Sequence, residues 1–137
     1  MVDHHFTGRH VFAEFYGVKE KFLISSRNFV DIFRCAILES KATLCDLSYK
    51  DFDPAGFTIL GLLSESHSSV HTYPEHQSLF IDAFTCGEHC SPFNIVRTLE
   101  AALAPKHVTM TSILRGHQGN QFPNIIGPMS LPTPNYA

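Results

Sequence analysis

Apolar residues alternate with polar ones around Val11, Ala13 and Phe15, which predicts a strand. Its second face carries Phe12 and Tyr16 beside His10 and Glu14, so that face also meets apolar surface and the strand is an interior one. From Ser26 to Ser40 the period changes. Phe29, Ile32, Phe33, Ala36 and Ile37 recur at three and four, the stripe of an amphipathic helix that Ser25 or Ser26 can cap, with Arg27, Asp31, Arg34 and Glu39 on the polar side. Thr43 to Tyr49 alternates again. Asp53-Pro54-Ala55-Gly56 is a turn signal ahead of the apolar run Phe57 to Leu63, giving two antiparallel strands. His67 to Tyr73 and Ser78 to Cys86 flank a break at Pro74 to Gln77 and form a further hairpin. Ser91-Pro92 supplies a cap and first-turn proline for a helix that runs to Leu103 and stops at Ala104-Pro105. Val108 to Leu114 is the last strand.

This order of elements predicts an α+β two-layer sandwich, with helices on one face of a mostly antiparallel sheet. The other sheet face needs cover, and its apolar character suggests a partner sheet. No repeat or linker divides residues 1-115, which are expected to form one domain; residues 116-137, rich in Gly, Pro and Asn without a sustained period, read as a tail.

Composition narrows the function. A chain of 137 residues with 44% hydrophobic residues and 12 Phe can supply a core of its own. Its net charge of -3 lacks the basic excess that a nucleic-acid partner requires. No apolar run is long enough for a membrane span and the N-terminus has no signal-peptide pattern, which predicts a cytoplasmic protein. The four cysteines, Cys35, Cys45, Cys86 and Cys90, are irregularly spaced and read as free thiols. His67 and His71 lie four apart, and Cys86, His89 and Cys90 cluster, yet no C-x-x-C or H-E-x-x-H spacing is present. No metal is expected.

The candidate chemistry lies in the run Leu63-Ser-Glu-Ser-His-Ser-Ser-Val-His-Thr-Tyr-Pro-Glu75, followed by Phe84-Thr85-Cys86-Gly87. A Ser66, His71 or Cys86 taken alone would be an ordinary turn, surface or core residue; their joint spacing carries the signal. This run resembles the self-cleavage region of the small prokaryotic S-adenosylmethionine decarboxylase proenzymes. Gly8-Arg-His-Val-Phe-Ala-Glu-Phe-Tyr-Gly17 resembles the opening strand of the same family, and the resemblance spans roughly residues 8 to 115.

The resemblance implies a pyruvoyl-dependent enzyme that makes its own cofactor by cutting between Glu65 and Ser66. The serine hydroxyl attacks the preceding carbonyl, an ester forms, and β-elimination followed by hydrolysis leaves a pyruvoyl group. Such a cut needs a strained serine, a base near its α-carbon and a donor for the oxyanion. His71 stands at the family's processing-histidine position, and Thr58 stands where relatives usually carry serine. Cys86 stands at the proton-donor position; a thiol can donate near neutrality. Phe52 and Tyr73 match the aromatic pair around adenine, and Glu75 matches the carboxylate on the ribose hydroxyls. The implied reaction is decarboxylation of S-adenosylmethionine through a Schiff base, giving the aminopropyl donor of polyamine biosynthesis. The implied assembly is a homodimer of cleaved protomers with four layers, αββα. Tyr73 replaces the commoner Trp, and Gln77-Ser78-Leu79 departs from the usual segment, so arginine or ornithine is the alternative substrate. A non-catalytic regulatory paralogue is the remaining alternative, and the presence of Ser66, His71 and Cys86 argues against it.

Overall fold

A computed structural model describes residues 6–116; the expected tail lies outside the described residues apart from Gly116. The elements are β1 (Gly8–Tyr16), α1 (Val30–Glu39), β2 (Leu44–Asp51), β3 (Phe57–Leu63), β4 (Ser66–Tyr73), β5 (Ser78–Cys86), α2 (Pro92–Leu103) and β6 (His107–Arg115). The strands make one sheet in the order β2-β3-β4-β5-β1-β6, with every neighbouring pair antiparallel. β1 is interior, between β5 and β6, as its two apolar faces predict.

Period-two alternation decides what each strand buries. Val11, Ala13 and Phe15 of β1, Ile59 of β3, Val70 of β4 and Leu79, Ile81 and Ala83 of β5 point to the helices and are buried. They meet Phe33 and Ile37 of α1 and Ile95, Leu99 and Leu103 of α2, all buried in the same core. Each of the Val, Leu, Ile and Phe side chains among them contributes about 1.5–3 kcal/mol through burial. At Gly61 on β3 a methyl group would stand 3.2 Å from the Phe33 ring and 3.3 Å from Ile37, so the absent side chain lets α1 lie directly on the sheet.

Two helix starts differ from the sequence expectation. The segment Ser26–Asn28 is a 3-10 turn and α1 begins only at Val30. The cause is tertiary: the Ser26 N–H and hydroxyl both donate to the Asp51 carboxylate at 2.7 Å, tying this turn to the end of β2. Those bonds hold the Asp51 carboxyl below its ordinary pKa. At α2, Ser91 occupies the cap position without a side-chain capping bond. Its N–H instead donates to the Ser40 carbonyl at 3.1 Å, joining the start of α2 to the end of α1.

Among the described residues the opposite sheet face carries no helix. Leu60, Leu62, Phe80 and Ile113 are 52%, 57%, 43% and 51% exposed there, so that face presents large apolar side chains to solvent. The fold is therefore the expected α+β two-layer sandwich with one face open. No helix among the described residues is long and apolar enough to cross a membrane.

Candidate active site

The β3–β4 hairpin reverses through Ser64 and Glu65, with Leu63 paired to Ser66. Two-residue hairpins commonly place a positive φ within the turn. Here the positive φ falls on Ser66, at +148°, a region that side-chain-bearing residues avoid at a cost of about 1–3 kcal/mol. The residue before it is pinned. The Thr43 N–H donates to the Glu65 carboxylate at 2.8 Å, and His89 Nε2 lies 3.2 Å from the other carboxylate oxygen. Burial pushes the Glu65 carboxyl up, but the Thr43 and His89 hydrogen bonds outweigh it and hold the group below its ordinary value. Most telling for chemistry, the Glu65 carbonyl accepts the Cys86 N–H at 3.0 Å. The carbonyl that precedes Ser66 thus already has a backbone donor where negative charge would develop.

Cys86 ends β5 beside this hairpin, since Thr85 pairs with Ser66. Its carbonyl accepts from the Cys90 thiol at 3.7 Å, and burial pushes that Cys90 thiol up in pKa, so it remains a protonated neighbour. Ser66 Oγ lies 2.9 Å from His67 Nδ1. His67 Nε2 in turn stands 3.7 Å from the Asp82 carboxylate, which also contacts His10 Nε2 at 2.9 Å.

A second cluster occupies the far end of β4. Thr58 pairs with His71 across β3 and β4, and its hydroxyl is hydrogen-bonded to His71 Nδ1, which orients the ring and leaves Nε2 for chemistry. The His71 ring lies between the two expected aromatic residues, 5.8 Å from Phe52 and 4.6 Å from Tyr73 between centroids. Tyr73 continues to Phe80 at 4.8 Å. Tyr73 and Glu75, with Tyr16, Ser78 and Phe80, line a hollow of about 590 Å³, a volume suited to a small-molecule ligand.

The sequence-predicted residues therefore fall into two groups. Glu65, Ser66 and Cys86 meet at one end of the sheet; Thr58, His71, Phe52, Tyr73 and Glu75 meet at the other. Ser66 and His71 are five residues apart on one extended strand, about 16 Å at ~3.3 Å per residue. A base near the Ser66 α-carbon is thus not supplied by His71 of the same chain. Sequence reasoning also passed over His10, Asp82 and Phe80. His10 and Phe80 alternate onto the open face, which the period-two pattern signals. The meeting of His10 with Asp82, 72 positions away, has no local signature. His10, His67 and Asp82 offer three metal-compatible atoms within 4.8 Å, a grouping different from the His67–His71 and Cys86–Cys90 spacings read from sequence.

Comparison with known proteins gives a consistent result. Residues 9–116 match the family described as S-adenosylmethionine decarboxylase. The S-adenosylmethionine decarboxylase proenzyme of Acetivibrio thermocellus is 34% identical over 110 residues, which cover 80% of this chain and 88% of that protein. The proenzyme of the same name from Moorella thermoacetica is 36% identical over 109 residues, covering 80% and 87%. The crystal structure of the adenosylmethionine decarboxylase from Aquifex aeolicus superposes with a TM-score of 0.77 at 28% identity, covering 85% of this chain and 96% of that one. The Trypanosoma brucei AdoMetDC-delta26 monomer, at 13% identity and a TM-score of 0.54, shares the fold. With the hairpin serine, its oriented carbonyl and the Thr58–His71 pair all on the matched span, the chain belongs to the S-adenosylmethionine decarboxylase family.

Proposed function

We propose that this chain is the proenzyme of a pyruvoyl-dependent decarboxylase of S-adenosylmethionine, and that it works as a homodimer joined through the open sheet face. The observation that carries the reading is the Glu65 carbonyl held by the Cys86 N–H, immediately before a Ser66 of strained φ. Attack of Ser66 Oγ on that carbonyl relieves the strain and leaves the oxyanion on the oxygen that already has its donor. Collapse breaks the Glu65–Ser66 peptide bond and gives an ester from Glu65 to Ser66 Oγ. Removal of the Ser66 α-proton then expels Glu65 as a carboxylate, and hydrolysis of the dehydroalanine left behind releases ammonia and yields the pyruvoyl end.

The base for that elimination comes from the second copy. A two-fold axis lying between the two facing sheets and running across the strands carries the Thr58–His71 end of one protomer over the Ser66–Cys86 end of the other, and the contact is reciprocal. Stacked sheets lie about 10 Å apart, so side chains from both reach the layer between them. Leu60, Leu62, Phe80 and Ile113 would be buried in the same step, giving the αββα layers. Each composite site then holds Ser66 and Cys86 of one chain with His71 of the partner subunit.

Once formed, the pyruvoyl group supplies the carbonyl that takes the substrate amine and the sink for the electrons freed by decarboxylation. The chain's own residues do the rest. Cys86, half-buried beside the new terminus, delivers a proton to the substrate carbon. The Tyr73–Phe80 pair and Glu75 offer an aromatic wall and a carboxylate, matched to adenine, a sulfonium cation and ribose hydroxyls. Arginine and ornithine bring no ring to that wall, and the family's named activity does not favour them. Intact-mass analysis should find two fragments split after Glu65, and the larger should carry a pyruvoyl terminus. Carbon dioxide release from S-adenosylmethionine should exceed release from arginine and ornithine. A chain that stays whole, or that prefers either amino acid, overturns the proposal.

A further inference from the structure

The contacts around Ser66 point to a base for the first step of self-cleavage that is distinct from His71. We propose that His67 takes the Ser66 hydroxyl proton during the acyl shift, and that Asp82, His10 and Arg115 set its tautomer. This rests on the proenzyme reading above and adds to it a residue acting on a different step. Ser66 Oγ is 2.9 Å from His67 Nδ1, whereas His71 lies about 16 Å away along the strand, beyond direct proton transfer at any rotamer.

The direction of proton donation through the cluster is fixed from its far end. Arg115 can only donate, and its guanidinium lies 3.3 Å from His10 Nδ1. His10 Nδ1 is therefore the acceptor, and His10 Nε2–H donates to the Asp82 carboxylate, 2.9 Å from each oxygen. The Asp82 carboxylate stands 3.7 Å from His67 Nε2, beyond a direct hydrogen bond, and its negative charge favours the proton on that nitrogen. The lone pair of His67 then lies on Nδ1, facing the Ser66 hydroxyl. These residues come from β1, β4, β5 and β6 and converge on the open face; Asp46 of β2 is the further charged group around the same groove. His67 follows Ser66 directly, so the strain that turns the serine also brings its hydroxyl to the neighbouring ring.

The step balances without any external reactant. The Ser66 proton passes to His67 Nδ1 as the bond from Oγ to the Glu65 carbonyl carbon forms. The carbon–nitrogen bond breaks, and the same proton moves from His67 to the departing nitrogen, which becomes the free amine of Ser66. His71 of the partner subunit then has the α-proton alone to remove. His67 is a catalytic residue of processing, while Asp82 and His10 are positioning residues.

The test separates the two steps. Full-length chain is made in a cell-free system, chased, and resolved on denaturing gels with and without hydroxylamine, which cuts an ester but spares a peptide bond. His71→Ala should reach the ester and be cut by hydroxylamine. His67→Ala should stay a hydroxylamine-resistant single chain, slowed about 100-fold to 10 000-fold, the range for loss of a general base, and imidazole should restore cutting. Asp82→Asn should slow ester formation without slowing elimination, and Asp82→Glu should recover it; a merely structural role would not discriminate between the steps. If His67→Ala fails to fold, His67→Gln, which fills similar space but takes no proton, carries the same comparison. Cleavage of the His67 variants at the parental rate, or ester build-up like that of His71→Ala, overturns the relay and leaves the proenzyme reading standing. A parental chain that never splits removes both.

Discussion

Mixing two inactive variants tests the composite site directly. Ser66→Ala removes the nucleophile and His71→Ala removes the elimination base. In one chain these residues are about 16 Å apart along β4, against the roughly 3 Å that a base must span. If they acted within one chain, neither variant could be rescued by the other. In a two-fold dimer the mixed species has one complete site, built from Ser66 of the His71→Ala chain and His71 of the Ser66→Ala chain, and one site lacking both. Random pairing makes about half of the dimers mixed, so about half of the His71→Ala chains should split while Ser66→Ala chains stay whole. The assay is co-expression with distinguishable tags and detection of each on denaturing gels. Leu62→Asp, which puts a charge into the open face, should lower both dimerisation and processing in a chain whose Ser66 and His71 are intact. Mixed dimers that show no cutting, or a monomeric Leu62→Asp chain that matures normally, would refute the two-chain site.

Other expected outcomes follow from named contacts. Cys86→Ser keeps the backbone N–H on the Glu65 carbonyl but loses the thiol, so gels should show continued processing while substrate turnover falls; parental turnover would show that the thiol is structural. Glu75→Gln should raise KM for S-adenosylmethionine with little effect on maturation, costing about 1.5–3 kcal/mol for one charged hydrogen bond, or tenfold to a hundredfold in kcat/KM by steady-state assay. The carboxyls of Glu65 and Asp51 are both depressed in the folded state. Their contribution to stability is full above the ordinary carboxylate range near pH 4 and is lost as pH falls through the lower folded values. Thermal midpoints should therefore drop on acidification below about pH 4, and Glu65→Gln should make that drop shallower.

Strand and helix identity was legible because period two and period three-to-four are local properties of the chain. Val11, Ala13 and Phe15 announce β1, and Phe29, Phe33 and Ile37 announce the buried face of α1. Even the open face could be read, since Phe12 and Tyr16 put apolar surface where a half-solvated strand would place polar groups. What could not be read locally is whatever a distant partner decides. Ser26 begins a 3-10 turn instead of a full helix because Asp51, 25 positions on, takes both its N–H and its hydroxyl. His10 gains its role from Asp82 and Arg115, which approach only after β1 has been inserted between β5 and β6.

The motif residues teach a different lesson, because their separation was present in the sequence all along. A spacing of five along a strand puts two residues about 16 Å apart. His71 shares its parity with Ser69 and Tyr73 on the open side, and Ser66, whose positive φ departs from regular strand geometry, turns its hydroxyl to His67 on that same side. Proximity in sequence suggests a shared site; strand geometry denies it. The denial makes sense of the open face, because the surface that a lone protomer leaves uncovered is the one across which its two half-sites can be joined. Apolar contact through Leu60, Leu62 and Ile113 and completion of the chemistry would then be one event. On this view the precursor does not mature before it has a partner, and the dilution series that measures dimer dissociation should also set the rate of cleavage.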